Sequence, residues 1–258
     1  MRALAVSLLL SVTAGPALAQ ESAPAAPVSD PYEGANRTLF DVHQRIDQGV
    51  IRPVARGYKA VTPSPVRKGV RNVLNNLGEP VTFINQVLQG RPAQAGETAT
   101  RFVANSTVGV LGVFDIATKA GVPAHEEDFG QTLATYGVRP GPYLFVPVVG
   151  PTNVRDLSGR VVDIAMNPVN AISFEGDAAA RTGAVVLNGV DARASADTEI
   201  ERLNSSATDP YATYRSLYNQ NRQARIVNGS ANVEALPEFE NYAPPPQPTP
   251  ATPRRRRR

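Results

Sequence analysis

Two short apolar segments separated by a charged stretch constrain this chain more than any other feature. The first segment runs from Phe102 to Phe114 and carries no charge over its 13 residues. The second runs from Tyr143 to Val149. Neither is long enough to cross a bilayer as a helix, which needs about 20 apolar residues. The two segments therefore form either a hairpin buried in an ordinary core or an element that enters one leaflet of a membrane.

The charged stretch between them, His125 to Asp128, has two interpretations. It could be an acidic cluster beside a histidine base, or a solvated loop that keeps the turn between the apolar segments in water. Runs of charge are usually solvated. We therefore predict the solvated loop.

Hydrophobic periodicity predicts one mostly helical domain over residues 30–229, without internal repeats. Asp30-Pro31 and Asp209-Pro210 are typical of helix starts, with a carboxylate cap followed by proline. The tyrosines Tyr211, Tyr214 and Tyr218 lie on one face of the last helix. That face is either packed in the core or placed at a membrane interface, and packing is the commoner arrangement.

Glycine and proline predict where helices end. Gly78 and Pro80 predict a break in the helix that begins near Ser64, and Asn188-Gly189 predicts a break between two later helices. Prolines 142, 147 and 151 argue against a central strand at Tyr143–Val149. The predicted fold is all-α.

Composition indicates a processing segment at the start of the chain and a low-complexity segment at its end. Residues 1–19 are predicted to be a signal peptide, with Arg2, a short apolar stretch and Ala17-Leu18-Ala19 at the cleavage site. Residues 20–29 form a linker. Residues 230–258 form a proline-rich tail that ends in Arg254–Arg258, and we predict that this tail is disordered. Its arginines either contact an anionic surface or only keep the end soluble.

Charge and cysteine content exclude several functions. The net charge is +3, but removing Arg2 and the five terminal arginines from the 26 basic residues leaves 20 against 23 acidic ones, near −3. A basic nucleic-acid surface is therefore not expected. The sequence contains no cysteine, which excludes disulfides, thiolate metal sites and lipidation at a cysteine within these residues.

Catalysis has little support in the sequence. There are two histidines, His43 and His125, and no G-x-S-x-G, H-E-x-x-H, P-loop or dinucleotide-binding pattern. We predict a protein that is not an enzyme and needs no cofactor or metal. Arg155-Asp156 could bind a phosphate or an amine, but adjacent opposite charges more often form an intramolecular ion pair.

Five segments form a pattern that periodicity alone does not explain. They are DPYEGANRTLF (Asp30–Phe40), NLGEPVTFINQVLQG (Asn76–Gly90), RFVANSTVGVLGVFDIA (Arg101–Ala117), FGQTLATYGVRPGPYLFVPVVGPTNVRD (Phe129–Asp156) and DPYATYRSLYNQNR (Asp209–Arg222). In their order and spacing these segments resemble the MlaA/VacJ family of outer-membrane phospholipid-transport proteins. Because the segments span nearly the whole domain, the resemblance does not depend on one short motif.

The resemblance implies a mostly helical ring in the inner leaflet of the outer membrane, around an amphipathic channel. Mislocalised phospholipid would leave the outer leaflet through it and reach a periplasmic lipid-carrier protein, which maintains lipid asymmetry. The implied partners are phospholipid, a porin trimer and the carrier, with no nucleic acid. A porin-associated structural protein that moves no lipid, and a periplasmic hydrolase using His43 or His125, remain as alternatives.

The resemblance also gives the apolar segments a role, because they would face acyl chains as a non-spanning hairpin. The candidate membrane-facing or lipid-path residues are Phe102, Val108, Val110, Leu111, Val113, Phe114, Ile116, Tyr143, Leu144 and Phe145. The candidate head-group or channel-rim residues are Arg139, Arg155 and Asp156.

In one respect the sequence departs from the family. Its members are commonly lipoproteins anchored through a cysteine at the cleavage site, whereas the corresponding region here reads TAGPALAQ. We therefore predict a protein at the periplasmic face of the outer membrane in a Gram-negative envelope. It would be exported by a cleavable signal peptide and would not be a lipoprotein.

Overall fold

A computed structural model of the 258-residue chain describes residues 30–171 and 175–227. Over these ranges the chain is mostly helical, with one small antiparallel sheet, which confirms the predicted fold class. Within the same ranges, no helix combines the length and apolar character that crossing a bilayer demands. The predicted signal peptide, linker and arginine tail lie outside the described residues.

The elements follow one another with short connections. The first half contains α1 (Glu33–Ile46), a π-helical turn (Asp47–Ile51), α2 (Arg52–Val61), α3 (Ser64–Leu88), α4 (Pro92–Thr107), α5 (Ile116–Lys119) and α6 (Phe129–Thr135). A hairpin of β1 (Tyr143–Val146) and β2 (Gly150–Asn153) comes next. The second half contains α7 (Val154–Met166), a 3₁₀ turn (Pro168–Ala171), α8 (Asp177–Ser195), α9 (Asp197–Ser206) and α10 (Pro210–Ile226).

Two predicted helix breaks are wrong. Helix α3 continues through Gly78 and Pro80 to Leu88, and α8 continues through Asn188-Gly189 to Ser195. The local cost of glycine or proline in a helix is about 1 to 3 kcal/mol. Packing of α3 along α4, and of α8 along α2, offsets that cost because each contact is distributed over several turns.

The interior of the molecule is unusually polar. Among the described residues, 18 polar or charged side chains are buried, compared with eight apolar ones. In α3 every buried residue is polar, whereas Phe83, Val87 and Leu88 of the same helix are exposed. A soluble domain has the opposite arrangement, in which buried polar groups are the exception. The helices of this chain therefore turn much of their apolar surface outward.

One compact aromatic cluster forms the apolar part of the core. It contains Phe40, Tyr143, Phe145 and Tyr211, with Tyr214 and Tyr218 packed against it. The rings meet edge to face, and the centroids of Phe40 and Phe145 are 5.3 Å apart. The tyrosine face of α10 is therefore packed, as predicted, and the interfacial alternative is wrong.

The second apolar segment is a strand hairpin and not a helix. Tyr143 pairs with Asn153 and Val146 with Gly150. Gly150 adopts a φ of 94°, which suits glycine. Because the sheet has only two strands, both are edges, and the prolines remove no hydrogen bond from a central strand.

Candidate functional site

A large opening in the described part of the chain lies between α3, α7, α8 and the 3₁₀ turn. Its volume is about 1000 Å³. Apolar side chains form most of its wall, among them Leu74, Leu77 and Val81 on α3 and Ile164 and Val185 on the facing helices. The apolar positions of α3 at spacings of three and four residues thus line an open cavity instead of a sealed core. We call this opening the large cavity.

Two carboxylates also line the large cavity. Asp163 on α7 accepts hydrogen bonds from Asn85 Nδ2 at 2.9 Å and from the backbone N–H of Phe129 at 3.1 Å. Glu127 forms an ion pair with Arg91 at 3.2 Å. Burial raises the pKa of both Asp163 and Glu127, because a charged carboxylate is poorly solvated there.

Helix α8 contributes a cation to the same cavity. The Arg181 guanidinium, one turn from Asp177, donates to its Oδ2 at 2.7 Å. The cavity therefore combines an apolar wall with carboxylate, amide and guanidinium groups. Such a surface suits an amphiphile, whose chain contacts the wall while its polar end meets the charged groups.

A buried arginine organises the polar layer between α3 and α4. Arg101 Nε donates to Glu79 Oε1 at 3.2 Å, and its Nη1 donates to the carbonyl oxygen of Val122 at 2.9 Å. Its Nη2 contacts both oxygens of Asp115 at 3.3 Å. A buried charge is tolerated when it is paired and hydrogen-bonded in this way. Arg101 thus fixes α3, α4 and the segment up to α5 together.

An exposed apolar loop, residues 108–114, follows α4. Val110 and Leu111 have φ values of 54° and 56°, although side chains rarely adopt this left-handed region and a β-branched valine is an outlier there. Leu111 is 75% exposed. Asn72 Nδ2 holds the loop by donating to the carbonyl oxygen of Val113 at 2.9 Å. Backbone strain of this kind clusters at functional sites. Here it coincides with exposed apolar side chains.

The predicted membrane-facing residues divide into two groups. One group lies on the surface at the end of α4 and in the apolar loop: Phe102, Val108, Val110, Leu111, Val113 and Phe114. Ile116 and Leu144 are half-buried. Tyr143 and Phe145 are completely buried in the aromatic cluster. The prediction that these two side chains face acyl chains is wrong, because alternation along β1 turns both inward.

The predicted rim residues also fall into two groups, one exposed and one buried. Arg139 is exposed. Arg155 and Asp156 are buried and pair with each other, with Nε 2.9 Å from Oδ1. Arg222 of α10 also donates to Asp156 Oδ1 at 2.9 Å. Arg155 and Asp156 therefore form the intramolecular ion pair, and their assignment to a head-group rim is wrong because neither is open to a ligand.

The charged stretch before α6 is only partly solvated. Glu126 is exposed, and His125 Nε2 lies 2.6 Å from Glu97 Oε2. Glu127, however, is buried, and Asp128 caps α6 by accepting from the N–H of Gln131 at 2.9 Å. The prediction of a simple solvated loop is wrong for these two residues, since each has a partner on another turn or helix.

The sequence did not identify the large cavity. None of the predicted site residues lines it, because the prediction concentrated on the two uncharged segments. The available signal was the composition of α8, where Ala180 and Ala184 leave space between α8 and α3. Small residues permit such space only if the neighbouring helix stays apart, which the sequence does not specify.

Comparison with known proteins gives a consistent result. A family model described as MlaA lipoprotein matches residues 28–225. The intermembrane phospholipid transport system lipoprotein MlaA of Haemophilus influenzae is 35% identical over 216 residues, which cover 81% of this chain and 85% of that protein. The Escherichia coli K12 protein of the same name is 34% identical over 205 residues, covering 78% and 79%. An uncharacterized protein of Rickettsia conorii is 35% identical over 200 residues, covering 77% and 78%.

A solved structure described as the structural basis for maintenance of bacterial outer membrane lipid asymmetry is similar over most of this chain. The TM-score is 0.68 at 33% identity, and the match covers 77% of this chain and 99% of the other. At this identity and coverage the likeness extends to the arrangement of the helices and not only to the fold class.

The comparisons overturn the predicted localisation. That prediction excluded a lipoprotein, whereas the matching family model and the relatives from Haemophilus influenzae and Escherichia coli are all named lipoproteins. The absence of cysteine from the 258 residues was therefore not a sound reason to set this protein apart from them.

Proposed function

The chain belongs to the MlaA lipoprotein family, and on this basis we propose that it acts in intermembrane phospholipid transport. In this role it is an outer-membrane component that removes mislocalised phospholipid from the outer leaflet. It passes the lipid to a periplasmic carrier and so maintains lipid asymmetry. Two findings support a role in phospholipid transport at the outer membrane. The relatives are named as components of such a transport system, and the structural neighbour is described in terms of outer-membrane lipid asymmetry.

The large cavity is the observation that carries the proposal. Its volume of about 1000 Å³ is at the upper end of ordinary ligand sites, which measure about 300–1,000 Å³. Its wall is mostly apolar, while Asp163, Glu127 and Arg181 supply both signs of charge. A phospholipid needs this combination, because its chains avoid water and its head group carries a phosphate.

The exposed apolar loop has a separate role in the proposal. Val108, Val110, Leu111 and Phe114 contact the acyl chains of the surrounding leaflet, and Arg139 lies near the head groups. Each surface arginine near an anionic bilayer contributes about 1 kcal/mol. The domain from residue 30 to residue 229 acts as the functional unit, with a porin trimer and a periplasmic lipid carrier as partners.

A porin-associated structural protein is the second candidate. The observation that favours it is the exposed apolar side chain of Val186 on α8, which does not line the large cavity and could pack against another membrane protein as well as against lipid. The hydrolase alternative, which would use His43 or His125, has less support because each histidine contacts another part of the protein. The ring of His43 accepts a backbone hydrogen bond through Nδ1, and His125 contacts Glu97.

One pair of variants tests the proposal against the structural candidate. Ala184 lines the large cavity, whereas Ala179, more than one turn earlier on α8, is exposed outside it. In cells that depend on this protein, Ala184→Phe is expected to raise outer-leaflet phospholipid, and Ala179→Phe to leave it unchanged. A structural protein that moves no lipid predicts the same outer-leaflet phospholipid for both variants.

A further inference from the structure

A second, smaller cavity lies between α3 and α4 and shares no lining residue with the large cavity. Its volume is about 520 Å³. Pro80 and Phe83 of α3 and Ala99, Phe102 and Val103 of α4 line it, and Pro168 of the 3₁₀ turn completes the wall. The large cavity uses Leu77, Gly78, Val81 and Thr82 of the same helix. Helix α3 thus separates two cavities. We call this one the small cavity.

The wall of the small cavity is almost entirely apolar and uncharged. Thr98 also lines it but is fully buried, and its Oγ1 contributes no exposed surface. Glu79 is the one acidic side chain among the lining residues, and its Oε1 accepts from Arg101 Nε at 3.2 Å. Apart from Glu79, whose carboxylate is buried and paired with Arg101, the wall offers no charged group and almost no exposed polar surface, which favours a neutral hydrocarbon occupant over a charged one.

The small cavity lies beside exposed apolar side chains of α4. Phe102 and Val103 are exposed on the last turns of α4, and α4 leads directly into the apolar loop. Because Phe102 and Val103 also line the cavity, a hydrocarbon chain that contacts this face of α4 can reach it.

We propose that the small cavity binds one acyl chain of a membrane phospholipid and holds it in place as a structural lipid. This inference rests on the proposed function, because it needs the apolar loop to lie in a lipid leaflet. It goes beyond that function in assigning a second lipid site, separate from the transport path. The bound chain fills the space between α3 and α4 and stabilises the two helices around Arg101.

Filling the cavity tests the proposal. Ala99→Leu places a larger side chain inside the small cavity, whereas Ala93→Leu adds the same atoms at an exposed position of α4. The full chain in mild detergent is titrated with dipalmitoyl phosphatidylcholine, and native mass spectrometry counts the bound lipids. We expect one lipid fewer, or about tenfold weaker binding of one lipid, for Ala99→Leu only. Unchanged lipid binding by Ala99→Leu overturns the proposal.

The two lipid sites are distinguishable in the same titration. Ala184→Phe blocks the large cavity and is expected to remove a different lipid, with loss of transport in cells. Ala99→Leu is expected to keep outer-leaflet phospholipid low. Failure of Ala184→Phe to raise outer-leaflet phospholipid contradicts the proposed function, whereas equal lipid counts for Ala99→Leu and Ala93→Leu contradict only the second site. If Ala99→Leu does not fold, the smaller Ala99→Val replaces it and a smaller loss of affinity is expected.

A further variant identifies the chemistry of the occupant. Within residues 30–171 and 175–227, Thr98 Oγ1 has no hydrogen-bond partner, so Thr98→Val conserves shape without breaking a hydrogen bond seen there. An acyl chain is expected to bind this variant with an affinity within about twofold of the parent. A loss of about tenfold would show that the occupant donates or accepts a hydrogen bond at Thr98, and would overturn the assignment to an acyl chain.

Discussion

The backbone N–H of Val148 donates a hydrogen bond to Nδ1 of His43 across 3.1 Å. This bond ties the turn between β1 and β2 to α1. The turn is strained, because Val148 adopts a φ of 71° that a β-branched residue rarely tolerates. The His43 ring also packs edge to face on Phe145, with centroids 5.4 Å apart. His43 therefore holds the tip of the hairpin against the aromatic cluster.

The bond predicts a pH dependence of stability. Nδ1 accepts the bond only when the ring is neutral, and burial lowers the pKa of His43 from its usual value near 6.5. Asp47 opposes this shift and Arg193 supports it. As pH falls below about 6.5, the unfolded chain binds a proton that the folded chain excludes, so the free energy of unfolding decreases.

Substitution of His43 isolates this effect. His43→Asn keeps a hydrogen-bond acceptor but cannot titrate, so the variant is expected to lose less stability between about pH 7 and about pH 5 than the parent. Thermal unfolding at several pH values in detergent measures the difference. Identical pH profiles for the two proteins would show that His43 does not titrate with folding. His125→Asn is the control for the other histidine.

Gly112 is predicted to be intolerant of any side chain. An added Cβ would lie 2.7 Å from Cβ of Asn76, and its φ of 91° is unfavourable for other residues. Gly112→Ala is therefore expected to lower the free energy of unfolding by about 1–3 kcal/mol. Gly96→Ala is the control, because no atom lies within 4 Å of a Cβ there and Gly96 is in the middle of α4. We expect Gly96→Ala to stabilise by about 0.5–1 kcal/mol, and equal effects would contradict the close packing of the loop.

Arg222 is predicted to be essential for stability. It pairs with Asp128 at 2.6 Å and with Asp156 at 2.9 Å, and so joins α10 to the start of α6 and to α7. Arg222→Ala removes the arginine that pairs with Asp128 and leaves Asp156 paired with Arg155 only. Removal of one partner from a buried ion pair costs about 3–5 kcal/mol. Arg225→Ala breaks the more exposed pair with Glu126 and is expected to cost at most about 1 kcal/mol. Thermal unfolding of both variants checks the order, and equal losses would mean that the Arg222 network is not buried in solution.

Leu111 is predicted to contribute to membrane binding without contributing to stability. Asparagine tolerates the left-handed backbone at this position better than leucine does, so Leu111→Asn should not destabilise the loop. Burial of a leucine is worth about 1.5–3 kcal/mol, so vesicle binding in a flotation assay is expected to fall about tenfold or more. Leu217→Gln removes an exposed leucine from α10 and serves as the control. If both variants bind vesicles equally, the apolar loop is not the membrane contact.

Much of the secondary structure was predictable, because local signals specify it. Asp209 caps α10 by accepting from the N–H of Ala212, as the Asp-Pro pair predicts. Asp30, in contrast, does not cap α1. Its Oδ1 accepts from Asn36 and its Oδ2 from Arg215 on α10, and α1 begins only at Glu33. A side chain that can cap a helix can equally bind a residue 185 positions away, and the sequence does not show which partner is present.

The candidate site was less predictable. The exposed loop was recognised because a run without charge is visible in the sequence. The burial of Tyr143 and Phe145 depends on contacts with Phe40 and Tyr211, which lie far from them in the chain. The large cavity is harder still to predict from the sequence, because it is a space between α3, α7 and α8 and no residue type specifies it.

The sequence alone determined that the chain is helical, that its apolar segments are too short to span a bilayer and that α3 has two unlike faces. Only the tertiary structure decided that Asn76, Glu79 and Thr82 of α3 face inward while Phe83 and Val87 face outward. The physical reason is that helical periodicity records a difference between two faces but not the surroundings of either. Partners such as Arg101, which satisfy the buried polar groups, come from other helices and are brought together only by folding.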